Sequence, residues 1–338
     1  MTAVTLPDLA DPATYDRGIP HGAFADLRAT SGLVRNPDGP WGSGFWSVTR
    51  LDDLVAVSRD PQTFSSAVGH IQIYDVDEDV IDARASMIDL DPPIHTRLRR
   101  LVSSAFTPKH VQNYVGDVRR RIGERLDALE AAGGGDWVAE VAAPIPIGVI
   151  CALMGVPEAD QDLMIEMTDH LVEGTSSAEL DPGAYGNTRP LRELPFNSPA
   201  AFGVEEYARR ARRDRLANPT DDLLTQLAHA EVDGERLSET EYARFFQLMI
   251  FAGNETTRSA MAHLALHLVG HADQFDRVRS DEGLVEGAAE EVVRHASPIL
   301  YFRRTATVDT VLAGTEVRAG DKVVMWYASA NFDEAHFD

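Results

Sequence analysis

Cysteine is almost absent from this sequence. Cys151 stands alone among 338 residues, which excludes an intramolecular disulfide and any metal site built on paired cysteines. Basic residues are scarce too: 31 Lys and Arg face 54 Asp and Glu, a formal net charge of −23. So acidic a surface favours solubility and argues against broad nucleic-acid binding, which needs a basic footprint. No run reaches the roughly eighteen uncharged apolar residues of a membrane span. The opening MTAVTLPDLADPATYDRG has no basic stretch leading into an apolar one and does not read as a signal peptide. A Walker lysine loop, a GxGxxG after a strand and a GxSxG are all missing. What remains is the expectation of a cytoplasmic protein whose 44% hydrophobic content can build a sizeable core, in one large domain or two ordinary ones.

Helical periodicity is what the chain has in abundance. It runs over 111–132, 157–173, 203–217, 221–230, 238–271 and 283–295. Ser238 followed by Glu241 is a capping-box pattern and opens the longest of these helices. Strand-like pieces are short: 44–48, then 305–312, 316–317 and 322–328, the last group punctuated by Gly314 and Ala319-Gly320-Asp321. The expected fold is mainly α with a small β subregion. Two stretches, 65–93 and 176–199, read as long irregular loops, either lids or mobile surface.

Three motifs carry chemistry. The first is Phe251-Ala252-Gly253-Asn254-Glu255-Thr256-Thr257, in the middle of the longest helix. Glycine, asparagine and threonine are unfavourable there, and a threonine hydroxyl can compete for the carbonyl four residues back. An acid beside a hydroxyl at such a point can hold water and relay protons; tight packing at Gly253 with threonine capping is the equal alternative. The second is Asp91-Pro92-Pro93-Ile94-His95-Thr96-Arg97-Leu98-Arg99-Arg100, where the prolines suit a first helical turn. His95 and Arg99, four apart, share a face and suit a carboxylate or phosphate, unless the run is simply a solvated basic face. The third is Glu290-Glu291-Val292-Val293-Arg294, whose Glu291 and Arg294 can pair along a helix; alone, such a pair is worth a few tenths of a kcal/mol. His263, His267 and His271 repeat at metal-ligand spacing, but no acid completes a metalloprotease pattern, and ordinary helix histidines are the better reading.

In this order, and over essentially the whole chain, these motifs resemble the cytochrome P450 superfamily in its bacterial soluble form. His95 and Arg99 look like a haem-propionate contact, with Arg304 in Arg304-Thr305-Ala306-Thr307-Val308-Asp309 as a second arginine for the propionates. Ala252 and Gly253 look like the residues that give oxygen and substrate room over the haem, and Glu255 and Thr256 like the pair that delivers protons to dioxygen. Glu291 and Arg294 look like a buried structural pair. The resemblance implies haem b, electrons from NAD(P)H through redox partners, and insertion of one oxygen atom into an apolar C–H. The strings 252–258 and 323–331 look like the group that oxidises steroids, terpenoids and branched lipids.

One departure qualifies that expectation. In the family the haem-ligating cysteine follows a Phe-Gly-rich loop, downstream of the region that matches the last residues here. Cys151 lies among Ile, Val, Leu and Met and reads as a buried small hydrophobe. The resemblance therefore implies a single P450 domain over 1–338, truncated before its haem-thiolate segment and unable to ligate haem natively. The alternative is a haem-free P450-like module that binds a small molecule or partner. Residues 97–125 hold Arg97, Arg99, Arg100, Lys109, Arg119, Arg120, Arg121 and Arg125 against Asp117 and Glu124, either a basic patch suited to an acidic ferredoxin-type electron donor or simply a solvated basic helix. Neither a nucleic-acid nor a membrane partner is expected.

Overall fold

The computed structural model describes residues 7–40, 42–103, 106, 112–174, 180–232 and 234–337. The expected helix start at 111, Lys109 and positions 176–179 of the second loop lie outside them. The chain divides into two compact units: one of 1–81, 88–92 and 293–338, the other of 82–87 and 93–292.

The first unit is built on a five-stranded sheet. Its order is Leu33–Asn36, Phe45–Val48, Lys322–Trp326, Tyr301–Ala306 and Phe64–Ser65. Lys322–Trp326 pairs in parallel with Phe45–Val48 and antiparallel with Tyr301–Ala306, and all five of its residues are buried. A strand covered on both faces reads as a continuous apolar run, as Val-Val-Met-Trp does. Its side chains alternate between two cores. Val323 and Met325 join Leu33, Val48, Leu54, Val57 and Phe64; Val324 and Trp326 join Leu9, Phe24, Leu27, Phe45 and Ile73.

The second unit is helical. Its axis is the long helix Glu239–Gly270, entered through the expected capping box: Ser238 Oγ accepts from the Glu241 amide at 3.1 Å, and Glu241 Oε2 accepts from the Ser238 amide at 2.8 Å. Against it pack Pro199–Ala217, Pro144–Met154 and Gln161–Glu173. Pro144–Met154 begins on proline and is apolar nearly all round, which marks a buried helix. It ends at Gly155, whose φ of 79° is left-handed and at whose α-carbon a methyl would meet Asp222 Oδ2 at 2.1 Å. Asp222 in turn caps Leu223–His229 and binds Arg215 at 2.7 Å. Gly155→Ala is expected to cost about 2 kcal/mol, from left-handed strain and the lost Asp222 geometry, read as a lower urea midpoint.

Several boundaries differ from expectation. The strand at 322–328 stops at Trp326, because Tyr327–Ala330 winds into a helical turn whose small Ala328, Ser329 and Ala330 are buried. The strand at 305–312 is two: Tyr301–Ala306, then Thr310–Leu312, with Asp309 Oδ1 accepting from the Ala319 amide at 2.9 Å. The loop at 65–93 contains the helix Glu78–Arg84. Leu33–Asn36, Leu-Val-Arg-Asn, was too short and mixed to read as a strand; Phe45–Val48 supplies its pairing.

Candidate functional site

The long helix stays continuous through Phe251–Thr257. Thr256 Oγ1 donates to the Ala252 carbonyl at 2.8 Å, the four-back bond expected of a mid-helix threonine. Ala252, Thr256, Ser259 and His263 fall on one face by helical spacing, and Ala252 is exposed there. Gly253 lies beside that face and turns toward Pro144–Met154. A methyl on it would lie 3.0 Å from Ile150 Cδ1, so Gly253 lets the long helix approach Pro144–Met154. That is the packing alternative for this one residue.

Glu255 occupies the neighbouring face, at an open groove of about 480 Å³ lined by Val138, Asp169, Val172, Arg258, Ser259 and Ala262 among others. Burial raises its pKa; Arg258, 3.6 Å away, opposes this and Asp169 adds to it. Arg258 also reaches Asp169 at 3.0 Å. Asn254 is buried, its Nδ2 at 3.2 Å from both Thr168 Oγ1 and Glu255 Oε1, and its Oδ1 has no partner among the described residues. Arg258, three residues past Glu255, was legible as a helix pair. Asp169 and Thr168 were not, since both come from another helix.

On Ile94–Ser103 the cations sort themselves. Arg97 donates to Glu241, the capping acid of the long helix, whose carboxyl is pushed up by burial but held below its ordinary value by Ser238 and Arg97. His95 and Arg99 make no side-chain hydrogen bond or ion pair among the described residues. In the first unit Arg304 donates to the Arg303 carbonyl at 2.9 Å and has no carboxylate at ion-pair distance among the described residues. Burial lowers its pKa, opposed by Tyr327, Asp91 and Asp89. Asp91, of the Asp-Pro-Pro motif, is fixed by Ser65 Oγ and by the Ser66 amide at 2.8 Å.

The expected buried pair is corrected in part. Glu291 is exposed. Arg294 is half-buried, donates to the Asn331 carbonyl, and lies over the rings of Phe332 at 5.3 Å and Phe337 at 4.9 Å. His263, His267 and His271 stack ring on ring, with centroids 6.3 and 6.5 Å apart. Cys151 is fully buried and its thiol is pushed up to about 12, by burial first. In the basic patch, Arg120 pairs with Asp117 at 2.5 Å and Glu124 at 2.9 Å, and Arg121 with Asp117 at 2.6 Å. No helix among the described residues is long and apolar enough to cross a membrane.

No family model matches the chain. Individual proteins do. A methyl-branched lipid omega-hydroxylase of Mycobacterium tuberculosis is 40% identical over 331 residues, 95% of this chain and 74% of that protein. A steroid C26-monooxygenase of the same species is 34% identical over 342 residues, 98% of this chain and 75% of its own length. Among solved structures, a Mycobacterium marinum cytochrome P450 in complex with pseudoionone superposes with a TM-score of 0.82 at 36% identity, covering 94% of this chain and 77% of that one.

Proposed function

This chain belongs to the cytochrome P450 family of monooxygenases, and from that premise we propose that it hydroxylates an unactivated C–H of an apolar, lipid-like substrate: a branched lipid, a steroid or a terpenoid. The observation that best supports this reading is its likeness to a methyl-branched lipid hydroxylase over nearly the whole chain. Haem, the cofactor the family implies, would supply dioxygen activation. The residues present fit an anionic group of that kind. His95 can become a cation and Arg99 is one, both without carboxylate partners among the described residues, and each would take a propionate oxygen.

Thr256 then holds a hydroxyl on the exposed Ala252 face, while Glu255 holds a carboxyl at the groove, its proton retained to higher pH by burial. Ser259 borders both. Protons would enter from the groove through Glu255 and leave at Thr256 Oγ1. Electrons would come from NAD(P)H through a ferredoxin-type donor. Exposed Arg119 and Arg125, which make no ion pair among the described residues, are its best contacts.

Cys151 cannot serve as the haem ligand without unpacking its helix. We therefore assign no thiolate ligation to the 338 residues by themselves. The purified chain loaded with haem is expected to lack the thiolate-type Soret shift under carbon monoxide; its appearance would refute this.

For the activity, Glu255→Gln and Thr256→Ala are expected to lower product formation by about 100-fold in haem-loaded, electron-supplied protein given an exogenous alkanethiolate as the haem ligand. A carboxyl whose folded pKa is raised binds its proton more tightly when folded, so stability falls as pH climbs through and above 4.5. Glu255→Gln escapes that fall. It is expected to be more stable than the parent at pH 7 and to converge with it below pH 4.5, measured by urea unfolding across pH. Unchanged turnover in both variants would sink the proton route.

A further inference from the structure

Asn254 sits between Gly253 and Glu255 in the middle of the long helix and is 2% exposed. Asparagine is unfavourable inside a helix, and its amide is costly to bury unless both ends are bonded. Only one end is. Nδ2 donates to Thr168 Oγ1 and to Glu255 Oε1, each at 3.2 Å, while Oδ1 has no partner among the described residues. A buried amide that served only to tie Gln161–Glu173 to the long helix would have both ends satisfied.

Thr168 is fully buried and fixes where the amide sits. Its Oγ1 donates to the Met164 carbonyl at 2.9 Å and accepts from Asn254. A half-turn of the amide about its last torsion exchanges Oδ1 and Nδ2 with no other movement. Oδ1 then faces Thr168 Oγ1 and Glu255 Oε1, and Nδ2 is the end left over. Each orientation leaves one end unpaired, so the choice between them falls to Glu255. A carboxylate only accepts and takes the N–H; a carboxylic acid donates and takes the carbonyl. The other charged groups at Glu255 are Arg258 of its own helix, 3.6 Å away, with Asp169 and Glu173 of Gln161–Glu173. Val138, which the turn Val138–Ala142 brings to the groove, is uncharged. An arginine only donates and a carboxylate only accepts, so none of these serves both states of Glu255.

We infer that Asn254 is a positioning residue for Glu255: its amide donates to the carboxylate, turns over to accept from the acid, and so keeps the carboxyl in one place through gain and loss of its proton. That the carboxyl matters to turnover rests on the proposed monooxygenase reading; the hold on it does not.

The hold is read on the cofactor-free chain. Asn254→Leu, of like size, and Asn254→Ala both remove the amide. The stability lost on ionising Glu255 is the difference between each protein and its Glu255→Gln counterpart, measured by urea unfolding from about pH 4 to 9. It grows with pH and levels off where the folded carboxyl has ionised. A hydrogen bond to a charge is stronger than one to a neutral acid, so without the amide the levelling is expected about one pH unit higher, a tenfold weaker acid. A packing loss is the same at every pH and cancels. Levelling at the same pH, in whichever variant folds, overturns the proposal. In the parent, the Asn254 side-chain N–H resonances, assigned by their loss in Asn254→Ala, are expected to move over that range and to stay still in Glu255→Gln. Resonances indifferent to pH overturn the turning of the amide. In haem-loaded, electron-supplied protein given an alkanethiolate ligand, product formation is expected to fall several-fold in Asn254→Leu. Unchanged product formation beside a weakened acid overturns the proton route through Glu255 and leaves the hold standing.

Discussion

Asp75→Asn is expected to lower the unfolding free energy by about 3 kcal/mol, because it deprives two buried cations of the carboxylate they share. Lys322 opens the central strand of the sheet and is 3% exposed; Arg303, on the neighbouring strand, is 5% exposed. Asp75 sits 2.6 Å from Lys322 Nζ and 4.0 Å from Arg303. The carbonyls of Ser43 and Ile73, at 3.2 and 3.1 Å, solvate the ammonium but do not neutralise it. Burial already pulls the Lys322 pKa below 10.5, with Asp75 the main opposing influence. A lysine depressed in the folded state penalises folding while it is charged, so the deficit of Asp75→Asn shrinks as pH rises toward 10.5. Burial pushes Asp75 itself up, but Lys322 and Ser43 outweigh that and hold it below 3.8. Its contribution is therefore present above 3.8 and lost as pH falls through the lowered value, where the two proteins converge. Urea unfolding at pH 3, 7 and 10 checks all three statements; a constant difference across that range would contradict them.

Trp326→Ala is expected to cost about 4 kcal/mol, at the upper end for emptying a packed core. The indole is fully buried at the end of the central strand. It meets Tyr301 at 5.1 Å, Phe24 at 5.4 Å and Tyr15 at 6.4 Å between ring centroids, and donates Nε1–H to Ser47 Oγ at 2.9 Å. Trp326→Phe should keep most of the packing and lose the hydrogen bond, leaving buried Ser47 one partner short at a cost of about 1–2 kcal/mol. Differential scanning calorimetry of the pair distinguishes cavity from hydrogen bond. Equal losses would show that packing contributes little at this site.

How much of this was legible in sequence divides along physical lines. The long helix and its capping box follow from local spacing, and both ends were readable to within a residue. Helical faces are likewise local, so the separation of Glu255 from Thr256 could be drawn on paper. What spacing cannot supply is the partner. Arg97 and Arg99 are alike in sequence, yet Glu241, some 140 residues on, removes Arg97 from the set available to an external anion. That Gly253 allows a close approach is visible only once Ile150, a hundred residues earlier, is in place. Glu291 was expected underground and lies in solvent, since a helix pair carries no signal of what covers it. The four-residue strand Leu33–Asn36 exists through pairing rather than propensity.

The sheet also sets a timetable. Phe45 pairs with Lys322 and Val48 with Met325, so the amino-terminal hairpin waits on the ribosome for a neighbour made roughly 270 residues later. At about 5–20 residues per second that interval is tens of seconds. The helical unit is nearly contiguous in the chain and is free to close during the wait, while Phe45 and Val48 stay unshielded. Nascent chains stalled before residue 320 should therefore be cut by protease within 1–60 and resist within 200–270. Chains released from the ribosome should resist in both.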